Sequence, residues 1–217
     1  MSQHACMFVC VPSTAAPPVV LMPQTLSLGE RVADLSTRAL IFADAPEPRF
    51  AREAEVIAWA RAAWDSGADV VEVPADPRLL GPAARAGGAV TAQATTMVER
   101  DAVLAAGAAF ALVPVEALDD ATADAPDSVE GRPPSDQVGR VVVLVSDLRT
   151  GRDTLDDDPG RPVALDVTHL SGVDAVSEES LGLAVGLRLV RTTDVRRTRR
   201  VVEVMAHLLA ARRSDDR

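Results

Sequence analysis

With 217 residues, 47% of them hydrophobic and 25% charged, the chain is the size of one large or two small domains and can bury a core, which excludes disorder throughout. It contains no lysine, asparagine or tyrosine, so mechanisms built on a Schiff-base or phosphate-clamping lysine, an asparagine metal ligand or a tyrosine acid are excluded. The formal net charge of −10 argues against attraction of the whole chain to nucleic acid or an anionic membrane, although residues 188–217 hold nine arginines against four acids.

Residues 1–23 read as a flexible leader punctuated by Pro12, Pro17, Pro18 and Pro23. Cys6 and Cys10 are the only cysteines, so no disulfide can close a long loop and a reducing, cytoplasmic setting is expected. His4 and these two cysteines lack a second Cys/His pair, and no metal site is expected. The first positive charge is Arg31, so the apolar pieces Met7–Val11 and Val19–Met22 lack the basic flank of a signal peptide. No apolar run approaches the roughly 18–20 residues of a membrane span.

From Leu40 a β/α rhythm sets in. Leu40–Ala43 is a strand, and Ala51–Ser66 is a helix with Ala54, Ile57, Ala58, Arg61 and Ala62 at helical spacing and Gly67 as its stop. Val70–Val73 reads as a buried strand, Pro77–Ala86 as a short helix and Ala89–Gln93 as a strand. Val98–Ala106 is a helix closed by Gly107, and Ala109–Val113 a strand. These repeated strand–helix–strand steps imply a parallel sheet.

Residues 117–139 are rich in Asp and Pro and read as a solvated acidic loop; residues 149–161 read as a second one. Between and after them lie strands Val141–Val145, Val163–Val167 and Leu187–Arg191, a helix Glu178–Gly186 and a long final helix Val195–Arg212. The expected fold is therefore a shortened or incomplete TIM-type (β/α)₈ barrel of about seven parallel strands, with crossover helices missing in the middle, in a single domain spanning 24–217.

The segment Ala33-Asp-Leu-Ser-Thr-Arg-Ala-Leu-Ile-Phe-Ala-Asp44, continuing to Phe50, resembles the L-D-L-S-x-R lead-in and first strand of dihydropteroate synthases. Ser66-Gly-Ala-Asp-Val-Val-Glu-Val73 is similar to that family's A-G-A-D-I-I-D-V strand, and Gly186-Leu-Arg-Leu-Val-Arg-Thr-Thr-Asp-Val195 to its G-A-x-I-x-R-V-H-D-V strand and helix start. Thr91–Thr95 through Ala106-Gly-Ala108 runs in step with its S-V-D-T through G-A stretch, so the resemblance covers the chain apart from leader and middle.

The resemblance implies condensation of a dihydropterin pyrophosphate with p-aminobenzoate, with Mg²⁺, at the C-terminal mouth of a barrel. Position by position, most of that machinery is absent. The first-loop Asn falls on Ala43, while Pro46, Glu47 and Phe50 keep the loop's outline. The G-G-E-S-T-R-P-G loop becomes Pro74–Gly81 and keeps at most Asp76. The pterin-facing Asp falls on Gln93, and the N-D pair falls on Leu112 and Val113. No lysine supplies the S-R-K signature, and the last motif keeps Arg191 and Asp194 while its His becomes Thr193. Asp158-Pro-Gly160 imitates D-P-G-x-G-F but lacks the Phe and reads as an acidic turn.

These losses imply a dihydropteroate-synthase-like protein without catalysis, either ligand-binding or structural; the alternative is an active synthase of folate biosynthesis, and only that alternative calls for Mg²⁺. No catalytic residue and no cofactor are assigned. Arg191, Thr192, Thr193 and Asp194, at a strand end and helix start, form a candidate phosphate or substrate anion site; equally, Arg191 can pair with Asp166 or Asp194 and close the mouth. Gln93 and Asp76 mark a candidate pterin pocket, and Asp76 or Asp44 a weak water or metal ligand. Trp59 and Trp64 read as packing anchors, His169 as a loop residue, and the Arg196–Arg200 cluster as a solvated face without nucleic-acid binding. The apolar stripe of Val201, Val202, Met205, Leu208 and Leu209 predicts a homodimer, or a heteromer with a related synthase-like subunit, through the final helix.

Overall fold

A computed structural model describes residues 25–28, 31–45, 50–122, 140–158 and 160–215. Seven parallel strands, β3 (Leu40–Ala43), β4 (Val70–Glu72), β5 (Ala89–Gln93), β6 (Phe110–Pro114), β7 (Val141–Val145), β8 (Val163–Asp166) and β9 (Leu189–Thr192), pair in chain order. The sheet closes because β3 also pairs with β9, with Phe42 opposite Arg191 and Ala43 opposite Thr192. The barrel is thus shortened in strand number but closed. Its strands read as near-continuous apolar runs, and every residue of β7 is buried, because the barrel interior covers one face and helices the other. Inside, Phe42 and Phe110 meet at a centroid distance of 5.3 Å.

An antiparallel hairpin, β1 (Thr25–Leu28) with β2 (Arg31–Asp34), precedes the barrel. Its Leu26 and Leu28, with Leu35 just beyond it, join the main core. Sequence periodicity misses this hairpin because four-residue strands give too few alternations to register.

Helices α1 (Glu53–Asp65), α2 (Pro77–Arg85), α3 (Met97–Ala105), α4 (Leu118–Thr122), α5 (Leu148–Asp157), α6 (Gly172–Val185) and α7 (Val195–Asp215) follow successive strands. The chain leaves α1, α3 and α6 through Gly67, Gly107 and Gly186 at φ of 102°, 103° and 109°, a left-handed conformation that a Cβ disfavours.

Two expectations are corrected, the second acidic loop and the missing middle crossovers. The segment 149–161, expected as an acidic loop replacing a crossover, is mostly helix α5. Asp147 caps it by accepting from the Thr150 N–H at 2.9 Å, and Gly151 and Leu155 bury its narrow apolar side. Crossover helices are therefore present in the middle of the barrel; α4 also occupies the start of the 117–139 segment, whose residues 123–139 lie outside the described ones. On α1 the buried face is Val56, Ala60 and Ala63, whereas Ala54, Ala58, Arg61 and Ala62 are exposed, since an alanine-rich helix carries nearly equal apolar signal on several faces. The leader, with His4, Cys6 and Cys10, and Pro46 and Glu47 of the first loop lie outside the described residues.

Candidate functional site at the barrel mouth

Strand β4 carries Glu72 at its C-terminal end, Asp44 follows β3 directly, Asp166 ends β8, and Arg191 lies next to last in β9. In ring order β8, β9, β3 and β4 are contiguous, so parallel register delivers all four side chains to one sector of the C-terminal mouth. A charge in an otherwise buried strand end must be paired, and here the pairing is complete.

Arg191 donates through Nε to Glu72 Oε2 and through Nη2 to Glu72 Oε1 at 3.0 Å. Nη2 also meets Asp44 Oδ1 at 2.9 Å, and Nη1 reaches Asp166 Oδ2 at 2.8 Å and Thr168 Oγ1 at 3.2 Å. A guanidinium has five N–H donors, and these contacts use them all. The Glu72 pair is two-pronged, a geometry that arginine matches and lysine does not. Thr168 in turn donates its hydroxyl to Asp166 Oδ1 at 2.7 Å, and its backbone N–H donates to the same oxygen at 2.9 Å.

The cluster is buried: 7% of the Arg191 side chain and 5% of the Glu72 side chain remain exposed. Burial pushes the Glu72 carboxyl above its ordinary value of 4.5 against the pull of Arg191, and the neighbouring Asp44 and Asp166 add to the push. Desolvation acts to lower the Arg191 value, but its hydrogen bond and charge interaction with Glu72, with the charges of Asp166 and Asp44, outweigh it and hold the guanidinium above its ordinary range.

Arg191 is ion-paired with Asp166, one of the two acids expected beside it, together with Glu72 and Asp44, whereas Asp194 is not among these partners. Asp194 instead caps α7, its Oδ1 accepting from the Arg197 N–H at 3.0 Å. Thr192 is fully buried and turned under α7, where its hydroxyl accepts from the Asp194 N–H at 3.0 Å and stands 3.0 Å from Thr198 Oγ1. Thr198 donates to Glu179 Oε1 at 2.6 Å, and Arg197 Nη2 donates to the same oxygen at 3.0 Å. Thr193 is exposed and lines a shallow cleft of about 320 Å³ with Asp44, Trp59, Ser66 and Arg196.

Asp76 caps α2, accepting from the Arg78 N–H at 2.9 Å, which with the adjacent guanidinium keeps its carboxyl below the usual range. Gln93 is half-buried at the end of β5, and neither it nor Asp76 is a partner of Arg191. Leu112 and Val113 are fully buried, and His169 sits in an exposed turn. Trp59 packs on Phe50 at 5.4 Å between ring centroids.

The carboxylates do not fit Mg²⁺. They converge on the guanidinium, and both oxygens of Glu72 and both of Asp166 already accept hydrogen bonds from Arg191 or Thr168, so they do not share an open point for a cation. Among the described residues no group of three or more His, Cys, Asp or Glu side chains has metal-holding geometry. None of their helices is long and apolar enough to cross a membrane.

The chain has the fold of the dihydropteroate synthases. It is similar to the Thermus thermophilus dihydropteroate synthase in complex with 4-aminobenzoate, at 19% identity and a TM-score of 0.55 over 85% of this chain and 99% of that one. It is similar also to the Burkholderia cenocepacia enzyme complexed with 7,8-dihydropteroate, at 15% identity and a TM-score of 0.61 over 88% and 99%. The Yersinia pestis enzyme matches at 10% identity and a TM-score of 0.60 over 86% and 99%. No protein-family model and no curated protein sequence matches the chain.

Proposed function

We propose that this chain is a non-catalytic dihydropteroate-synthase-like barrel whose mouth is closed by the Arg191 cluster and which serves as a structural partner in a dimer. The saturation of Arg191 carries this reading. Three carboxylates around one guanidinium leave a formal excess of two negative charges at the mouth. A leaving pyrophosphate needs cations aimed at it, and this mouth repels it.

The chain offers no lysine to replace Arg191. Acceptors that could face the N–H groups of a pterin, Glu72 and Asp166, are turned onto the guanidinium instead. Gln93 keeps an amide near the same end of the barrel, which favours a weak pterin-binding remnant as the second reading.

The structural role rests on the exposed apolar side chains of the last two helices. Leu181 and Val185 on α6 and Val204 and Leu208 on α7 are 54%, 41%, 58% and 58% exposed. Exposed apolar groups gathered on adjacent helices are typically covered by association. The partner is a second copy of this chain or a related synthase-like subunit.

Isothermal calorimetry with pyrophosphate and with a pterin tests the reading. Neither should bind appreciably; a pterin that binds alone would support the remnant. Micromolar pyrophosphate binding that disappears in Arg191→Ala would overturn the closed mouth.

A further inference from the structure

At the N-terminal end of the barrel, opposite the Arg191 cluster, a cleft of about 610 Å³ opens beside the hairpin and reaches the turns that lead into β4 and β5. A cavity of that size takes a small organic ligand. We infer that it binds a monocarboxylate carried on a compact apolar body.

Charge comes first. The described lining includes Arg31, Arg38 and Arg199 against Asp34 and Asp69, a surplus of one positive charge in a chain of net charge −10. Asp69 is already saturated: Oδ1 meets Arg38 Nη2 at 2.7 Å, and Oδ2 accepts from Arg199 Nη2 at 3.1 Å and from the Ile41 N–H at 3.0 Å. Two guanidiniums therefore share one buried carboxylate, each through Nη2, and Arg31 has no ion-pair partner among the described residues. Asp34 turns its Oδ1 onto the N–H and hydroxyl of Ser36. Helices α1 and α2 end here, and a helix C-terminus carries about half a negative charge. Each end has its own cation, Arg199 donating to the Gly67 carbonyl and Arg85 standing in the last turn of α2.

The backbone adds donors. After α1, α3 and α6 the left-handed glycine and its successor both donate back to the helix, as Gly67 does to Trp64 and Ala68 to Ala63. After α2 neither Gly87, at φ of 113°, nor Gly88 has such a partner among the described residues. Successive free N–H groups after a right-handed then a left-handed residue, here Ala86 and Gly87, form a concavity suited to an anion. The indole Nε1 of Trp64, on the same wall, is buried without an acceptor.

The rest of the wall is apolar, with Leu28, Ala33, Ala68 and the 68% exposed Val32. Forked guanidiniums and paired N–H groups match the two oxygens of a carboxylate, and one surplus charge suits a monoanion rather than a pyrophosphate.

The probe is cyclohexanecarboxylate, titrated into the full chain by calorimetry. It should bind at about 1 mM or below, and acetate, which lacks the body, and cyclohexanecarboxamide, which lacks the charge, at least tenfold more weakly. Arg31→Met should weaken binding at least fivefold, and Arg31→Lys should restore part of it, with the circular dichroism of both variants unchanged. In nitrogen-15 NMR spectra the probe should move the Gly87 and Gly88 amide signals and the Trp64 indole signal and leave Thr193 at the mouth unmoved. No binding at tens of millimolar, a carboxamide that binds as tightly as the carboxylate, an affinity indifferent to Arg31→Met, or shifts confined to the mouth would each overturn the inference.

Discussion

Arg191 and Glu72 lie 119 residues apart in the chain and are joined by a two-pronged ion pair across the seam where the first and last barrel strands meet. The cluster thereby links β8, β9, β3 and β4 at the mouth, the part of such barrels that usually carries the chemistry. In this chain that sector is spent on internal pairing.

Removing the two partners of this pair should have unequal effects. Arg191→Met leaves three carboxylates together without their counter-charge and should cost about 3–5 kcal/mol. Glu72→Gln leaves Arg191 with Asp44 and Asp166 and should cost only ~1–2 kcal/mol. Urea unfolding at neutral pH measures both, and equal losses would mean that the cluster is not acting as a unit.

The pH dependence has a defined sign. Because the folded Glu72 carboxyl is raised above its ordinary 4.5, its contribution to stability is fully present below 4.5 and is lost as pH rises through the raised value. The caps Asp76 and Asp147 have lowered values, chiefly from the backbone N–H groups of Arg78 and Thr150. Their contribution is lost as pH falls below about 3.8, equally in wild type and variant. The stability difference between wild type and Glu72→Gln should therefore shrink from pH 4.5 upward; a difference that grows with pH contradicts the assignment.

Gly88 should not tolerate a side chain. A Cβ there would lie 2.3 Å from Trp64 Cε2 and 2.7 Å from its Nε1, inside contact distance of a packed indole. Gly88→Ala should cost about 1–3 kcal/mol through displacement of that ring. Thermal unfolding and Trp fluorescence of the variant report the two parts of the effect, and an unchanged midpoint would contradict the packing.

The stripe on α7 divides when the helix is seated. Val201 and Val202 are buried on the barrel, Met205 and Leu209 are half-buried, and Val204 and Leu208 are exposed. Val204→Glu with Leu208→Glu should therefore turn a dimer into a soluble monomer, since carboxylates in an apolar contact lose their hydration. Light scattering at tens of micromolar checks this. A folded wild-type monomer would leave only the heteromeric partner, to be sought by co-purification.

Much of the barrel was legible because its strands are nearly pure apolar runs, as in Val141–Val145, separated by helices with glycine stops. Helix α5 was missed since only Gly151 and Leu155 of its ten residues are buried, although Arg149 with Asp153 and Arg152 with Asp156 stand at the i,i+4 spacing that a helix favours. In the site, sequence singled out Arg191 and its pairing with Asp166. The role of Glu72 was missed, yet an acid inside Val-Val-Glu-Val was the available signal, because a charge in a buried strand demands a partner. Nothing local in the sequence says that β4 stands two strands from β9 once the barrel closes.

The central claim is that a saturated Arg191 leaves no machinery for pterin condensation. The most direct measurement is dihydropteroate formation from dihydropterin pyrophosphate and p-aminobenzoate with Mg²⁺, followed for the wild type and for Arg191→Ala. The closed mouth predicts no product above the protein-free background in either case, whereas steady turnover by the wild type that is abolished by Arg191→Ala would contradict it.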